Sequence, residues 1–141
     1  MGQENEQISS MNKILVHESN LITVWVYPGK RLIHHEMRKF CHGDEFRDGL
    51  NRGFEALAHY QATKWLSDDR ANSVLPEDEE WASRDWFPRT KAAGWKYWAM
   101  VPAGALGHHR ASRFVKNYLE LGINARMFGD LDDAMKWLDE V

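Results

Sequence analysis

Cysteine is almost absent from this chain, and the other things it lacks exclude several classes of protein. Cys41 is the single cysteine in 141 residues, so an internal disulfide framework is excluded. The 18 lysines and arginines do not exceed the 21 aspartates and glutamates, and the net charge is −3. A nucleic-acid-binding domain would carry a basic face. We therefore expect no nucleic-acid partner.

Long apolar runs are lacking as well. No stretch approaches the length that a transmembrane helix needs, and Met1 to Ser10 lacks the basic start and apolar core of a signal peptide. We expect no transmembrane segment and a cytoplasmic location. Residues 1–11 are polar and aperiodic, which predicts a disordered tail, and residues 12–141 have the length of a single domain.

Three strands open the predicted domain. They cover Ile14 to Val16, Leu21 to Tyr27 and Arg31 to Met37, and the second is rich in the β-branched and aromatic residues that strands favour. Pro28 and Gly29 predict a type II turn between the second and third strands, with the glycine at positive φ. The three strands are predicted to form an antiparallel meander.

Helical periodicity alternates with short strands in the rest of the chain. Helices are predicted from Phe46 to Leu57, from Pro76, from Gly107 to Leu121 and after a cap at Asp130; the strands between them are Lys64 to Ser67, Trp95 to Val101 and Ile123 to Phe128. Pro88 is expected to kink or end the second helix, and Pro102 to Gly107 is expected to be a loop. Strands joined by single helices lie parallel with right-handed crossovers. The predicted fold class is α/β, with a mixed sheet of about five to six strands.

A family resemblance lies in the segment from Lys64 to Arg89. It reads Lys-Trp-Leu-Ser-Asp-Asp-Arg at 64–70, Pro-Glu-Asp at 76–78, Trp at 81 and Asp-Trp-Phe-Pro-Arg at 85–89. With Phe46, Gly94, Phe128 and Trp137-Leu138, it resembles a bacterial STAS-like family from about Leu21 to Leu138. The resemblance implies the fold of sporulation anti-sigma-factor antagonists, which some classifications tie to the lipid-binding CRAL-TRIO fold. Members of the family are mainly without an assigned function.

The resemblance does not extend to the serine switch of the antagonists. Their switch serine lies in an Asp-Ser-Ser-Gly-like stretch that follows a strand and opens a helix. The equivalent region here, residues 68–73, reads Asp-Asp-Arg-Ala-Asn-Ser and has no glycine. No phosphorylation site is therefore carried over.

The first candidate site is Ser67-Asp68-Asp69-Arg70. It follows a strand, at the edge where open α/β sheets place their ligands. Asp68, Asp69 and Arg70 could orient a polar ligand or transfer protons. Neighbouring residues of an extended chain point in opposite directions, however, so the two carboxylates need not act together. The alternative is a turn in which Arg70 forms an ion pair.

The second candidate is the segment from Pro102 to Arg110, which joins a central strand to a helix. Gly104, His108 and Arg110 could bind an anion there, because the first turn of a helix offers free backbone N–H groups. The segment lacks the Lys-Ser/Thr pair of a phosphate-binding loop and the glycine spacing of a dinucleotide site. A plain connecting loop is the favoured interpretation.

Histidine and cysteine offer weaker candidates. The pairs His34-His35 and His108-His109 have no metal-ligand spacing, and no metal site is predicted. His35 falls on the apolar side of its strand, where we expect a hydrogen-bonded core histidine. Cys41-His42 is not interpreted as a nucleophile and base, since catalytic partners are usually distant in sequence.

Seven tryptophans exceed what an ordinary core of this size needs. Most are expected in the core, because each buries a large area. Trp81, Trp86 and Phe87 could instead line a ligand pocket, and the last two, which stand beside Pro88, could also form a dimer face.

These observations favour a non-enzymatic regulatory or ligand-binding STAS-like module that forms a homodimer. Its partner would be another protein or a small apolar or anionic ligand. One alternative is a binder of a lipid or another apolar small molecule, and a second is a small enzyme that uses Asp68, Asp69 or a histidine. No catalytic residue is assigned, and no cofactor is predicted.

Overall fold

The protein is described from a computed structural model, which covers residues 12–141 and, for Phe114, the backbone alone. The predicted disordered tail at residues 1–11 lies outside the described residues. Six strands form one sheet in the order β1-β2-β3-β4-β5-β6. Their bounds are β1 Ile14–Glu18, β2 Ile22–Tyr27, β3 Leu32–Met37, β4 Lys64–Asp68, β5 Tyr97–Val101 and β6 Asn124–Met127.

The pairing of the strands changes from antiparallel to parallel at β3. Strands β1, β2 and β3 pair antiparallel, and β3, β4, β5 and β6 pair parallel. The prediction of an α/β fold with a mixed sheet is confirmed. The carboxyl ends of β3, β4 and β5 meet at one edge, which we call the carboxyl edge.

The helices lie between the parallel strands and after the last one. They are α1 Gly43–Tyr60, α2 Pro76–Trp81, α3 Phe87–Ala92, α4 Gly104–Glu120 and α5 Leu131–Glu140. Helix α1 has Asp44 and Glu45 in its first turn, where acidic groups favour the helix dipole. The predicted cap of α5 is confirmed, because Asp130 Oδ1 accepts a hydrogen bond of 2.8 Å from the backbone N–H of Asp133.

Alternation along the strands divides the core between two faces of the sheet. The major face, which carries Ile33 and Trp65, packs against α1, the α2–α3 segment and Tyr118 of α4. The minor face, which carries Leu32 and Leu66, packs against Ala134 and Leu138 of α5. Right-handed crossovers that follow one another from β3 to β6 put their helices on one face of the sheet. For this reason more helices cover the major face than the minor face.

The turn between β2 and β3 differs from the prediction. Pro28–Lys30 forms a short 3-10 helix, and the left-handed position is Arg31, with φ +53°, rather than Gly29. Proline still begins the turn, as its restricted φ favours. The Arg31 Nε–H donates to the backbone oxygen of Gln61 at 3.0 Å, which helps to hold this unusual backbone position.

Two predicted boundaries are also corrected. Helix α4 begins at Gly104, so only the first residues of the expected 102–107 loop are irregular. Of the kink or end expected at Pro88, the end does not occur: Ala82–Trp86 forms a π-helical segment that joins α2 to α3, and Pro88 lies in the first turn of α3. Proline has no N–H to donate to the preceding turn, and the π-helical segment lies directly before it.

Candidate functional site

A cavity of about 180 Å³ lies on the major face at the carboxyl edge. Strands β3, β4 and β5 form its floor. Its walls are α1, the α2–α3 segment with its π-helical part, and α4. Most of the lining is apolar and includes Phe46, Leu50, Trp86, Trp98 and Met100. Apolar concavities with a few converging polar groups are the usual form of small-molecule sites.

The strand register brings the polar groups of the floor together. His35 of β3 pairs with Ser67 of β4, which pairs with Met100 of β5, and all three line the cavity. Asp69 follows β4 by one residue and has the same orientation as Ser67, since side chains alternate along a strand. The cavity floor therefore places a histidine, a hydroxyl and a carboxylate side by side.

Two hydrogen bonds determine the orientation of the His35 ring. The indole N–H of Trp65 donates to His35 Nδ1 at 2.9 Å, and His35 Nε2 lies 2.8 Å from Asp69 Oδ1. An indole N–H can only donate, so Nδ1 must accept and carries no hydrogen. The ring hydrogen is then on Nε2 and points to the Asp69 carboxylate. The expectation that His35 is a hydrogen-bonded core histidine is confirmed.

Ser67 is held by a second tryptophan. The indole N–H of Trp98 donates to Ser67 Oγ at 2.7 Å, and Ser67 is fully buried. Because both nitrogens of His35 are engaged by Trp65 and Asp69, no imidazole nitrogen is left to accept the Ser67 proton. Ser67 and His35 therefore lack the nucleophile–base hydrogen bond of a serine hydrolase.

Asp69 contributes a negative charge that no lysine or arginine of residues 12–141 neutralises by an ion pair, for His35 is its one partner in contact. Its side chain is 25% exposed, which leaves part of the carboxylate open to the cavity. Glu79 of α2 and Arg110 of α4 also line the cavity. Burial raises the pKa of Glu79, and the charge of Arg110 acts in the opposite direction.

The π-helical segment shapes one wall of the cavity. Ala82 and Trp86, at its two ends, both line the cavity. The Trp86 indole donates to the backbone oxygen of Leu50 at 2.9 Å, and Thr90 Oγ1 donates to the backbone oxygen of Trp86 at 2.6 Å. π-Helical turns occur frequently at functional sites. The sequence did not predict this one.

Asn72 ties the loop after β3 to the loop after β4. Its Oδ1 accepts from the backbone N–H of Cys41 at 2.8 Å, and its Nδ2 donates to the backbone oxygen of Cys41 at 3.2 Å. Burial, helped by Glu45, raises the pKa of Cys41 to about 12. The thiol therefore stays protonated, and Cys41 acts as a small apolar core residue.

The first predicted candidate segment is divided between the two faces of the sheet. Asp69 lines the cavity, whereas Asp68 lies on the minor face, where Arg70 donates to both of its oxygens at 2.9 Å. Burial alone would raise the pKa of Asp68, but the hydrogen bonds and charge of Arg70 outweigh burial and lower it. Asp68 and Arg70 thus belong to an ion pair outside the cavity.

Among the remaining predicted site residues, some line the cavity and others lie elsewhere. Trp86 and Arg110 line the cavity, whereas Gly104 and His108 of α4 do not. Trp81 packs edge-on against Phe46 beneath the Arg47 guanidinium. Phe87 is buried against Trp95 and Tyr118.

His34 occupies an unusual position on the minor face. Its ring packs against Trp25 and Tyr27, and both of its ring nitrogens are buried without a hydrogen-bond partner within the described residues. Burial, together with the charge of His35, lowers the pKa of His34 to about 4, although Asp68 opposes the shift. His34 is therefore a neutral core residue at ordinary pH.

His35, Trp98 and Glu79 line the site and were not among the predicted site residues, whereas Ser67 stood in the first candidate segment. The signal that could have found His35 and Trp98 is the alternation of β3 and β5, which puts every second residue on the major face. In residues 12–141, no three histidine, cysteine, aspartate or glutamate side chains are grouped so that they could hold a metal ion.

Comparison of the chain with known protein families, with curated proteins and with solved structures gives no match. Across residues 12–141 the helices are all too short or too polar to cross a membrane. The geometry of the carboxyl edge is therefore the basis for assigning a function.

Proposed function

We propose that this protein is a binding module for a small, mainly apolar molecule, which occupies the cavity at the carboxyl edge. The observation that carries the proposal is the cavity itself: mainly apolar side chains line about 180 Å³ above three polar groups, His35, Ser67 and Asp69, and the cavity is open to solvent on one side. A cavity of about 150 Å³ accepts benzene in another protein, so one ring with a short polar arm fits this site.

The proposal agrees with the STAS-like resemblance, which implies a regulatory or ligand-binding role. We also propose the cytoplasmic homodimer that was expected from the sequence. The support for a dimer is the edge strand β1, whose outer edge is unpaired within the described residues and whose Ile14 and Leu15 are 45% and 53% exposed. Such edges readily pair with another chain. Sedimentation of the full chain, compared with Leu15→Lys, would measure this association.

The test of ligand binding uses one probe and two matched variants. Benzyl alcohol is titrated into the full chain by isothermal calorimetry, alongside Ala111→Leu and Ala105→Leu. Both alanines lie on α4, but Ala111 lines the cavity and Ala105 is exposed. We expect the wild type and Ala105→Leu to bind alike, and Ala111→Leu to bind at least about tenfold more weakly, because added methylenes fill the space.

Native mass spectrometry of the freshly purified protein supplies an independent measurement. A bound mass that disappears on unfolding, and that is absent from Ala111→Leu, would support the proposal. Equal affinity of all three proteins for benzyl alcohol, or no binding together with a mass equal to that of the chain alone, would contradict it.

An acid–base enzyme is the second candidate function. The observation in its favour is that His35 orients Asp69 in a mostly apolar cavity, as a positioned general base requires. Conversion of a bound compound, abolished by Asp69→Asn and retained in Asp68→Asn, would support this alternative over a binding module.

A further inference from the structure

We infer that the cavity selects organic amines, whose ammonium group would lie against the Asp69 carboxylate while an aromatic or aliphatic body fills the apolar space. This inference rests on the proposed binding function and names the chemical class of the ligand. It follows from the balance of charges around the cavity, from the hydrogen bonds of His35 and from the aromatic rings that line the cavity.

Asp69 carries a negative charge that no lysine or arginine of residues 12–141 pairs with. The residue is in contact with His35 alone among the charged or ionisable side chains of residues 12–141. His35 donates one hydrogen from Nε2 and must leave Nδ1 bare to accept from Trp65. While Nδ1 accepts from Trp65, the ring carries its hydrogen on Nε2, and its contact with Asp69 is a hydrogen bond.

The other two charged groups of the cavity offset each other. Glu79 and Arg110 both line it, and the guanidinium is near enough to oppose the effect of burial on Glu79. The remaining charge is the negative one on Asp69. A carboxylate in apolar surroundings gains most from an opposite charge that brings its own hydrogen-bond donors, and an ammonium group has both.

The aromatic rings around the cavity add to the preference for a cation. Trp86 and Trp98 lie with ring centroids 6.3 Å apart at a steep angle, and Phe46 and Tyr118 complete the lining. Aromatic faces attract cations, most strongly where water is excluded. An anionic ligand, one of the classes expected from the sequence, would instead be repelled by Asp69.

Ser67 lies on the same floor but is fully buried, and its oxygen accepts a hydrogen bond from the Trp98 indole. It therefore holds the Trp98 ring in place, and Asp69, whose side chain is 25% exposed, is the polar group of the floor that is open to a ligand.

The test compares three probes that are similar in shape and carry a positive charge, no charge and a negative charge. Benzylamine, benzyl alcohol and benzoate are titrated into the full chain by calorimetry at pH 7 and low salt. We expect benzylamine to bind at least about tenfold more tightly than benzyl alcohol, and benzoate to bind most weakly. Asp69→Asn should remove the preference for benzylamine, whereas Asp68→Asn should retain it, because Asp68 lies on the other face of the sheet.

The wild-type protein gives a second measurement that does not depend on the folding of a variant. Added salt should weaken the binding of benzylamine and leave that of benzyl alcohol unchanged, since screening acts on charge pairs. If benzyl alcohol binds as tightly as benzylamine, the inference of an amine ligand is wrong and the binding function stands. If no probe binds, or if Ala111→Leu binds benzylamine like the wild type, the cavity is not the site and both proposals fail.

Discussion

His35 Nε2 lies 2.8 Å from Asp69 Oδ1, although 34 positions separate the two residues in the chain. The contact exists because β3 and β4 pair in parallel with His35 opposite Ser67, which brings the residue after β4 beside the histidine. Trp65, from β4 itself, holds the far side of the ring. The register of two neighbouring strands thus places His35 and Asp69 side by side in the floor of the cavity.

We predict that loss of the two His35 hydrogen bonds greatly lowers the free energy of unfolding. His35→Leu leaves the buried indole N–H of Trp65 unpaired and takes the one hydrogen-bond donor away from Asp69. We expect the free energy of unfolding, measured in urea, to fall by about 2–4 kcal/mol. The control is His59→Leu on the exposed side of α1, which should change it by at most about 0.5 kcal/mol. A similar, small effect of both substitutions would refute the proposed role of His35.

Gly53 lies where α1 crosses the sheet, and we predict that its position leaves no room for a side chain. A Cβ at Gly53 would overlap Cη2 of Trp65 and lie 2.9 Å from Cζ2, and this indole is fully buried. We expect Gly53→Ala to lower the free energy of unfolding by about 1–3 kcal/mol in spite of the better helix propensity of alanine.

Gly49→Ala on the same helix is the matched comparison. Its Cβ would lie 2.7 Å from Cδ1 and 2.8 Å from Cγ2 of Ile22, which is a less severe overlap than the one at Gly53. The loss of stability should therefore be smaller than for Gly53→Ala. Equal stability of Gly53→Ala and the wild type would show that Trp65 can move.

His34 predicts a dependence of stability on pH. Burial lowers its pKa from 6.5 to about 4, so the unfolded chain binds a proton that the folded chain refuses between these values. The stabilisation is complete above pH 6.5 and is lost as the pH falls towards 4. The difference of 2.5 pH units corresponds to about 3 kcal/mol.

The measurement is urea unfolding of the wild type and His34→Phe at pH 7 and pH 4.5. The phenyl ring can pack between Trp25 and Tyr27 without titrating, so the variant should lose markedly less stability between the two pH values. An identical pH dependence of the two proteins would mean that His34 accepts its proton without cost in the folded state.

We predict that the ion pair between Asp68 and Arg70 stabilises the fold and has no effect on ligand binding in the cavity. Its pKa lies below the ordinary 3.8 because the hydrogen bonds from Arg70 outweigh burial, so its contribution is present above pH 3.8 and is lost as the pH falls through the lower, folded value. Arg70 is 52% exposed, and we expect Asp68→Asn to cost only about 1 kcal/mol at pH 7.

Calorimetry and urea unfolding of Asp68→Asn check both halves of this prediction. A loss of ligand affinity as large as that of Asp69→Asn would contradict the separation of the two carboxylates on opposite faces. An unchanged stability would show that water replaces the guanidinium without loss.

The sequence alone determined the class of the fold and the edge of the sheet where a site was to be sought. Alternating and helical periods are local properties, readable over a few residues, and they were sufficient for the mixed sheet and for the opposite orientation of Asp68 and Asp69. The type II turn at Pro28 and a helix end at Pro88 were mispredicted. In the first, a contact with Gln61 supports Arg31 at positive φ; in the second, a π-helical segment carries the chain into α3.

The tertiary structure alone decided which residues form the cavity. His35 meets Asp69, and Trp98 meets Ser67, through the register of neighbouring strands, while Trp86, Glu79 and Arg110 arrive from helices that pack over them. Register and helix packing depend on the fit of the whole core, which no local pattern encodes. For this reason the sequence indicated the carboxyl edge and Asp69, but not the histidine that contacts this carboxylate in the cavity.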